Sequence, residues 1–133
     1  MPRAIDTNIL VRLIARDDPA QFEKVRRLFE SGPVLVLTTV LLETGWVLRS
    51  AFGFSPERLA ASLEALLSLP NVELEQEDLV IDALALFRAG LDFADAIHLA
   101  GARECDEFLS FDAALVKRAQ RSAAELPVVP KLL

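Results

Sequence analysis

Four acidic residues of this sequence occupy positions at which carboxylates can do chemistry. Asp6 and Asp112 each end a short apolar run and precede a helical pattern, and Asp95 lies near the start of another helical pattern. In open α/β sheets, ligands gather at the carboxyl ends of the strands, so residues at such junctions can converge on one crevice. The fourth acid, Glu43, lies within a helical segment.

Each aspartate also has a simpler interpretation as a helix cap. Aspartate is favoured at the N-cap and in the first turn because its side chain accepts backbone N–H bonds and faces the positive end of the helix dipole. Taken alone, Asp6, Asp95 and Asp112 fit that role better than a catalytic one. Asp92, three residues before Asp95, fits either a cap or a supporting position beside a site.

Glu43 is harder to explain as a cap, because it comes four residues after Thr39 and five after Thr38. A capping-box glutamate comes three residues after the cap. Its neighbours at helical spacing are largely apolar, which predicts that the carboxylate turns inward. A buried carboxylate without a partner is costly. We therefore expect Glu43 to bind a cation or to join a hydrogen-bond network.

If the four acids meet, they need a counter-charge. Two carboxylates about 4 Å apart repel by roughly 4 kcal/mol at an effective dielectric constant of about 20, unless they are protonated or neutralised by cations. Oxygen-only ligands favour magnesium or manganese. With one histidine, His98, and one cysteine, Cys105, zinc chemistry is disfavoured and no internal disulfide can form. His98, flanked by apolar residues, is expected to be structural. Trp46 and the phenylalanines are expected to be core residues rather than base-stacking platforms.

The elements that must position these residues alternate between strand-like and helical patterns, which is typical of a parallel sheet covered by helices. The predicted class is α/β, and the length of 133 residues predicts a single domain over residues 1–133. Strands are predicted at 3–5, 34–37, 72–74, 108–111 and near 128–129. Helices are predicted at 9–15, from Pro19 to about 31, and at 38–52, 56–68, 77–88, 92–104 and 113–123.

Composition limits the kinds of partner. A net charge of −6 and a pI near 4.8 disfavour nucleic-acid binding through bulk charge, so any RNA contact must be local or mediated by cations. The longest uncharged run, 31–42, is too short for a membrane-spanning helix, and the start of the chain lacks the pattern of a secretory signal. We therefore expect a cytoplasmic protein with no membrane partner. Candidate phosphate contacts, each otherwise a solvated helix residue, are Arg12, Arg16, Arg49 and Arg88.

Four segments, taken together, resemble the PIN-domain family. They are Ile-Asp-Thr-Asn-Ile-Leu around Asp6, Thr-Thr-Val-Leu-Leu-Glu ending at Glu43, Asp-Phe-Ala-Asp-Ala-Ile-His containing Asp95, and Leu-Ser-Phe-Asp ending at Asp112. Each motif alone is weak, whereas four of them in this order span almost the whole chain. The resemblance implies a three-layer α/β/α fold with a short central parallel sheet flanked by helices.

The resemblance also implies an activity and the residues that carry it. The activity is endonucleolytic cleavage of single-stranded or looped RNA by a metal-activated water. Thr7 and Asn8 would support the site, and Ser110 would orient a ligand or water near the last acid. The catalytic residues, which would also bind one or two Mg²⁺ or Mn²⁺ ions, are Asp6, Glu43, Asp95 and Asp112.

Small single-domain proteins of this kind look like VapC-type toxins, whose partner is an antitoxin protein. A hydrophobic fraction of 53% and a mean hydropathy of +0.35 predict surplus apolar surface, which favours a homodimer with a groove that an antitoxin segment covers. The alternatives are a housekeeping RNA-processing nuclease, a non-catalytic interaction module of the same fold, and a phosphoacceptor receiver domain. A receiver domain needs paired acids after the first strand, where only Asp6 stands.

Overall fold

The computed structural model describes residues 2–133, which form two compact units. One unit ends at Glu77 and the other runs from Asp78 to Leu133. The described residues contain seven helices and five short strands, and every strand pairing is parallel. The predicted α/β class, with short parallel strands flanked by helices in an α/β/α arrangement, is confirmed.

The first unit carries a three-stranded parallel sheet in the order β1-β2-β3. Arg3 pairs with Val34, and Val34 pairs with Val72. Two helices connect each strand to the next, and they supply the long crossover connection that parallel pairing requires. The elements are β1 (Arg3–Ala4), α1 (Thr7–Ala15), α2 (Pro19–Glu30), β2 (Val34–Val36), α3 (Thr38–Ser50), α4 (Pro56–Leu67) and β3 (Val72–Leu74).

Local sequence explains where these helices begin. Pro19 and Pro56 occupy first-turn positions, where the missing N–H costs nothing. The side chains of Asp18 and Ser55 cap the same two helices by accepting backbone N–H bonds. Inside the unit, α1 packs against α3. The buried apolar residues of these two helices include Leu10, Val11, Val40, Leu41 and Leu48.

The second unit contains a two-stranded parallel sheet, β4-β5, and three helices. Gly90, at φ +112°, follows the end of the first of these helices, where glycine commonly terminates a helix. Phe87 and Phe93 meet edge to face, with their ring centroids 5.4 Å apart. The elements are α5 (Glu77–Arg88), which starts at the unit boundary, α6 (Phe93–Gly101), β4 (Phe108–Ser110), α7 (Ala113–Arg121) and β5 (Pro130–Leu132).

The last strand differs from its prediction. The valine pair near 128–129 suggested a strand there, but β5 begins at Pro130, which pairs with Phe108. Proline lacks an N–H to donate, yet it is tolerated as the first residue of a strand. Helix α6 also ends at Gly101, earlier than predicted. Within residues 2–133, no helix combines the length and the apolar character needed to cross a bilayer.

We expect Leu48→Ala to lower the free energy of unfolding by about 2–5 kcal/mol, because it removes a fully buried side chain from α3 and leaves a cavity. Leu69→Ala is the matched control, because Leu69 belongs to the same unit but is 40% exposed. Its cost should be about 1 kcal/mol or less. Urea denaturation measures both, and equal losses from the two variants would contradict the described core.

Candidate active site

Asp6 lies at the carboxyl end of β1, where the chain turns into α1. Backbone pairing continues through Ile5, whose N–H donates to the carbonyl of Leu35. The Asp6 side chain is exposed and caps α1, with Oδ1 accepting from the backbone N–H of Thr7 at 2.8 Å. The strand therefore sets the position of Asp6, and the helix start fixes its carboxylate.

Thr7 connects the start of α1 to Glu43 on α3. Thr7 is 7% exposed, and its hydroxyl donates to Glu43 Oε1 at 2.5 Å. In the first unit, Asp6 and Glu43 therefore both contact a single buried threonine. Asn8, the other predicted supporting residue, is exposed, and its side chain makes no hydrogen bond with the described residues.

The expectation that Glu43 turns inward is wrong, because its side chain is exposed. The buried stripe of α3 includes Leu41, Thr44 and Leu48, so Glu43 lies beside the stripe rather than on it. Trp46, which we expected in the core, is 69% exposed. Helical spacing identified the apolar neighbours of Glu43 on α3. The buried face of α3, however, lies beside Glu43, and α1 packs against α3.

The start of α3 shows a further acidic contact that sequence analysis missed. Leu37, at the N-cap, offers no capping side chain. Glu75, directly after β3, supplies the acceptor instead, because its Oε1 accepts from the backbone N–H of Thr38 at 3.0 Å. A negative charge there also complements the helix dipole. The residue that follows β3 therefore caps α3.

In the second unit, Asp92 caps α6 as expected. Its Oδ2 accepts from the backbone N–H groups of Ala94 and Asp95, at 3.1 and 3.3 Å. Asp95 lies in the first turn of the same helix and is half-buried. Among residues 2–133, no donor forms a hydrogen bond with its carboxylate.

Burial raises the pKa of the Asp95 carboxyl, and the negative charges of Asp92 and Asp112 raise it further. His98 and Arg118 act in the opposite direction on the same pKa. Asp92 and Asp112 therefore both lie within electrostatic range of Asp95. Arg118 is a cation near the acids that sequence analysis did not single out. His98 is exposed on α6.

Asp112 follows β4 and caps α7. Its Oδ1 accepts from the backbone N–H groups of Ala114 and Leu115, at 3.0 and 3.1 Å. Ser110, predicted to orient a ligand or water, accepts a hydrogen bond at 2.9 Å from the backbone N–H of Asp112 through its hydroxyl oxygen. The hydroxyl proton of Ser110 is not used in that bond.

Capping and ligand binding are compatible at these aspartates. Asp6 and Asp112 use only Oδ1 in their caps, and Asp92 uses only Oδ2. The second oxygen of each accepts no hydrogen bond from the described residues. Each cap therefore fixes the carboxylate in place and leaves one oxygen for another partner.

Three of the four arginines predicted as phosphate contacts are engaged inside the first unit. A guanidinium already held by a carboxylate, a ring or a carbonyl is less available to a phosphate. Arg88 is exposed at the end of α5. Arg12 donates to Gln21 and Asp17, Arg16 lies over the ring of Phe22, and Arg49 donates to the carbonyl of Phe54.

The donor atoms suit a hard divalent cation, because all of them are carboxylate or hydroxyl oxygens. The arrangement of these oxygens in the described residues fits a bound metal ion less well than their chemistry does. Across the part of the chain that the structure describes, no three acidic, histidine or cysteine side chains form a group that could hold a metal ion. What the structure brings together is Asp6 and Glu43 around Thr7 in one unit, and Asp95 with Asp92 and Asp112 in the other.

The raised pKa of Asp95 predicts a pH-dependent cost in stability. The folded state holds the Asp95 proton more tightly than the unfolded chain, so ionisation costs stability as pH rises from the ordinary aspartate value through the raised pKa. Asp95→Asn removes that cost. In EDTA, its free energy of unfolding should match that of the parent in acid and exceed it at neutral pH. Urea denaturation across this pH range measures the difference.

Asp106→Asn is the matched control for that experiment, because it makes the same chemical change at an exposed turn of the same unit. The interpretation is contradicted if Asp95→Asn gives no advantage at neutral pH, or if Asp106→Asn gives the same one.

Comparison with known protein families identifies one match. A family model described as PIN domain matches residues 4–122, a span that includes all four predicted acids. No curated protein sequence matches the chain. PIN domains are generally nucleases, which places this protein among hydrolases acting on nucleic acid. Because the match spans nearly the whole sequence, the chain belongs to the PIN domain family.

Proposed function

We propose that this protein is a metal-dependent endoribonuclease and the toxin of a VapBC-type toxin–antitoxin pair. The observation that carries the nuclease part is the PIN-domain match over residues 4–122, which includes acids held by hydrogen bonds at helix starts. The antitoxin part rests on an apolar groove of the first unit that α1, α2 and α4 line.

The proposed metal ligands are carboxylates. When bound, an Mg²⁺ or Mn²⁺ ion would supply a more acidic water and would neutralise charge on the scissile phosphate. The sequence has no second histidine, so metal activation of water is favoured over a histidine pair. The residues proposed to hold one or two such ions are Asp6, Glu43, Asp95 and Asp112.

The remaining residues of the proposed site have positioning roles. The hydroxyl of Thr7 holds Glu43 Oε1, which limits the rotation of that side chain before any ligand arrives. Asp92 fixes the first turn of α6, on which Asp95 lies. The Ser110 hydroxyl can donate to a water or a phosphate oxygen beside Asp112, because its oxygen already accepts from the backbone. Asn8 is exposed next to Thr7 and is available to substrate.

The nuclease proposal is tested by incubating the protein with mixed single-stranded RNA and Mn²⁺, with and without EDTA. We expect cleavage that EDTA abolishes. Asp6→Asn should reduce the rate by about 100-fold or more, because the loss of one ligand charge weakens the stabilisation of the transition state. Asp106→Asn, which changes an exposed aspartate outside the proposed set, should cleave at the parental rate.

Circular dichroism must show that Asp6→Asn remains folded, since Asp6 also caps α1. RNA cleavage that persists in EDTA, or that is equal in the folded Asp6→Asn variant and the parent, would remove the metal mechanism. No cleavage of any RNA by the parent protein would favour a non-catalytic interaction module.

A groove lined by α1, α2 and α4 is the proposed antitoxin site. It has a volume of about 640 Å³, and its lining includes Leu13, Phe22, Leu66 and Leu69. Arg16 also lines it, in a left-handed backbone conformation at φ 53° that ends α1. An amphipathic segment with an apolar face and an acidic residue opposite Arg16 would complement this surface. The proposed homodimer would cover other exposed apolar residues, such as Ile81 and Leu133.

We expect Leu69→Arg to weaken binding of the protein encoded beside this gene by about 10-fold or more, because it places a charge in an apolar groove. RNA cleavage by the variant should be unchanged. Val129→Arg, an exposed apolar position that neither lines the groove nor is assigned to the dimer, is the matched control. Calorimetry measures binding, and light scattering on the same samples measures the expected dimer.

Induced expression distinguishes the toxin from a housekeeping nuclease. A toxin arrests growth, and co-expression of the neighbouring protein relieves the arrest. If the parent protein cleaves RNA but neither arrests growth nor binds that neighbour, the antitoxin proposal fails while the nuclease proposal stands. A strict monomer by light scattering removes the homodimer.

A further inference from the structure

We propose that Trp46 and Phe111 are base-stacking side chains, which hold unpaired RNA bases beside the proposed carboxylates. The inference rests on the proposed function and narrows its substrate to RNA whose bases are unstacked near the cleaved bond. Each side chain belongs to a different unit, and the geometry that supports each is independent of the other.

The first observation is exposure. The chain has nine aromatic residues, and of these only Trp46 and Phe111 are exposed, at 69% and 81%. Phe22 and Phe54, by contrast, lie under the guanidinium groups of arginines. Among residues 2–133, neither Trp46 nor Phe111 has a ring or a cation as a partner. These two bare aromatic faces are of the kind on which nucleic-acid bases stack.

The second observation is position along the chain. Trp46 comes three residues after Glu43 on α3, so the two side chains lie on the same side of the helix, one turn apart. Phe111 stands between Ser110, whose hydroxyl accepts from the Asp112 backbone, and Asp112 itself. Both exposed rings are therefore immediate neighbours of residues in the proposed active site.

The charge of this protein does not attract RNA. A protein of net charge −6 gains no general electrostatic attraction for a polyanion, and the candidate arginines Arg12, Arg16 and Arg49 are already engaged. Stacking of a base on an aromatic face needs no charge and accepts any base, so it supplies affinity that this surface otherwise lacks. Bases in a duplex are already stacked, which restricts the contact to single strands and loops.

Trp46 provides its own probe, because it is the only tryptophan and the chain has no tyrosine. Stopped-flow mixing with single-stranded oligoadenylate and Mg²⁺ should quench its fluorescence before cleavage proceeds, and the signal should saturate. An abasic oligomer of equal length has the same phosphates but no rings, and it should give little quenching. Equal signals from both oligomers, or none from either while oligoadenylate is cleaved, overturn the role of Trp46.

Phe111 is tested by steady-state cleavage of the same RNA. Phe111→Ala should raise KM by about 5-fold to 150-fold, the range that loss of one stacking aromatic gives, with a smaller change in kcat. Phe111→Tyr keeps the aromatic face and should restore the parental KM, whereas Phe111→Leu should not. Leu109→Ala is the control, because Leu109 is an exposed apolar residue (51%) on β4, two residues before Phe111.

The outcomes separate this inference from the proposed function. If the parent cleaves RNA but Phe111→Ala and Phe111→Leu keep the parental KM, stacking by Phe111 fails and the nuclease remains. If the parent cleaves nothing but oligoadenylate still quenches Trp46 selectively, the nuclease fails and base stacking stands. If the free protein shows blue-shifted emission that depends on its concentration, a second copy covers Trp46 and the proposal for that residue fails.

Discussion

Hydrogen bonds between aspartate side chains and the first backbone N–H groups of helices organise this protein. Asp6, Asp92 and Asp112 each begin a helix in this way, and each uses one carboxylate oxygen to do so. The helix dipole offsets part of the negative charge that these acids bring. One interaction therefore sets the helix boundary, fixes the carboxylate and leaves an oxygen facing outward. The same geometry that makes each aspartate a helix cap therefore also allows it to bind a ligand.

Burial and like-charge repulsion together disfavour the ionised form of Asp95. Asp95 lies in a first turn but not at the cap, so it gains no backbone donors while it is half-buried near two other acids. The direction of its pKa shift follows from these surroundings. A bound cation would reverse it, since an opposite charge favours the ionised form. A metal ion would therefore stabilise the charged form of the Asp95 carboxylate.

The sequence predicted the features that depend on neighbouring residues. The helix starts were predicted closely, because aspartate, serine and proline at these positions act on backbone groups only a few residues away. Gly90, after the end of α5, acts over an equally short range. Features that depend on distant contacts were not predicted. Which line of α3 is buried depends on where α1 packs, so Glu43 and Trp46 were placed inward and are exposed. The start of β5 depends on its register with Phe108 rather than on its valines. The exposure of Phe111 had no local signal at all.

The capping of α3 by Glu75 ties a helix start to a residue 37 positions later in the chain. As the protein emerges from a ribosome, the first turn of α3 is synthesised long before its acceptor exists. The turn can reach its final form only after β3 has docked beside β2, and until then the N–H of Thr38 is left to water. Glu43, which accepts from the Thr7 hydroxyl, lies on that helix five residues after Thr38. One of the four proposed catalytic acids therefore belongs to a helix whose first turn is completed only once the third strand is in place.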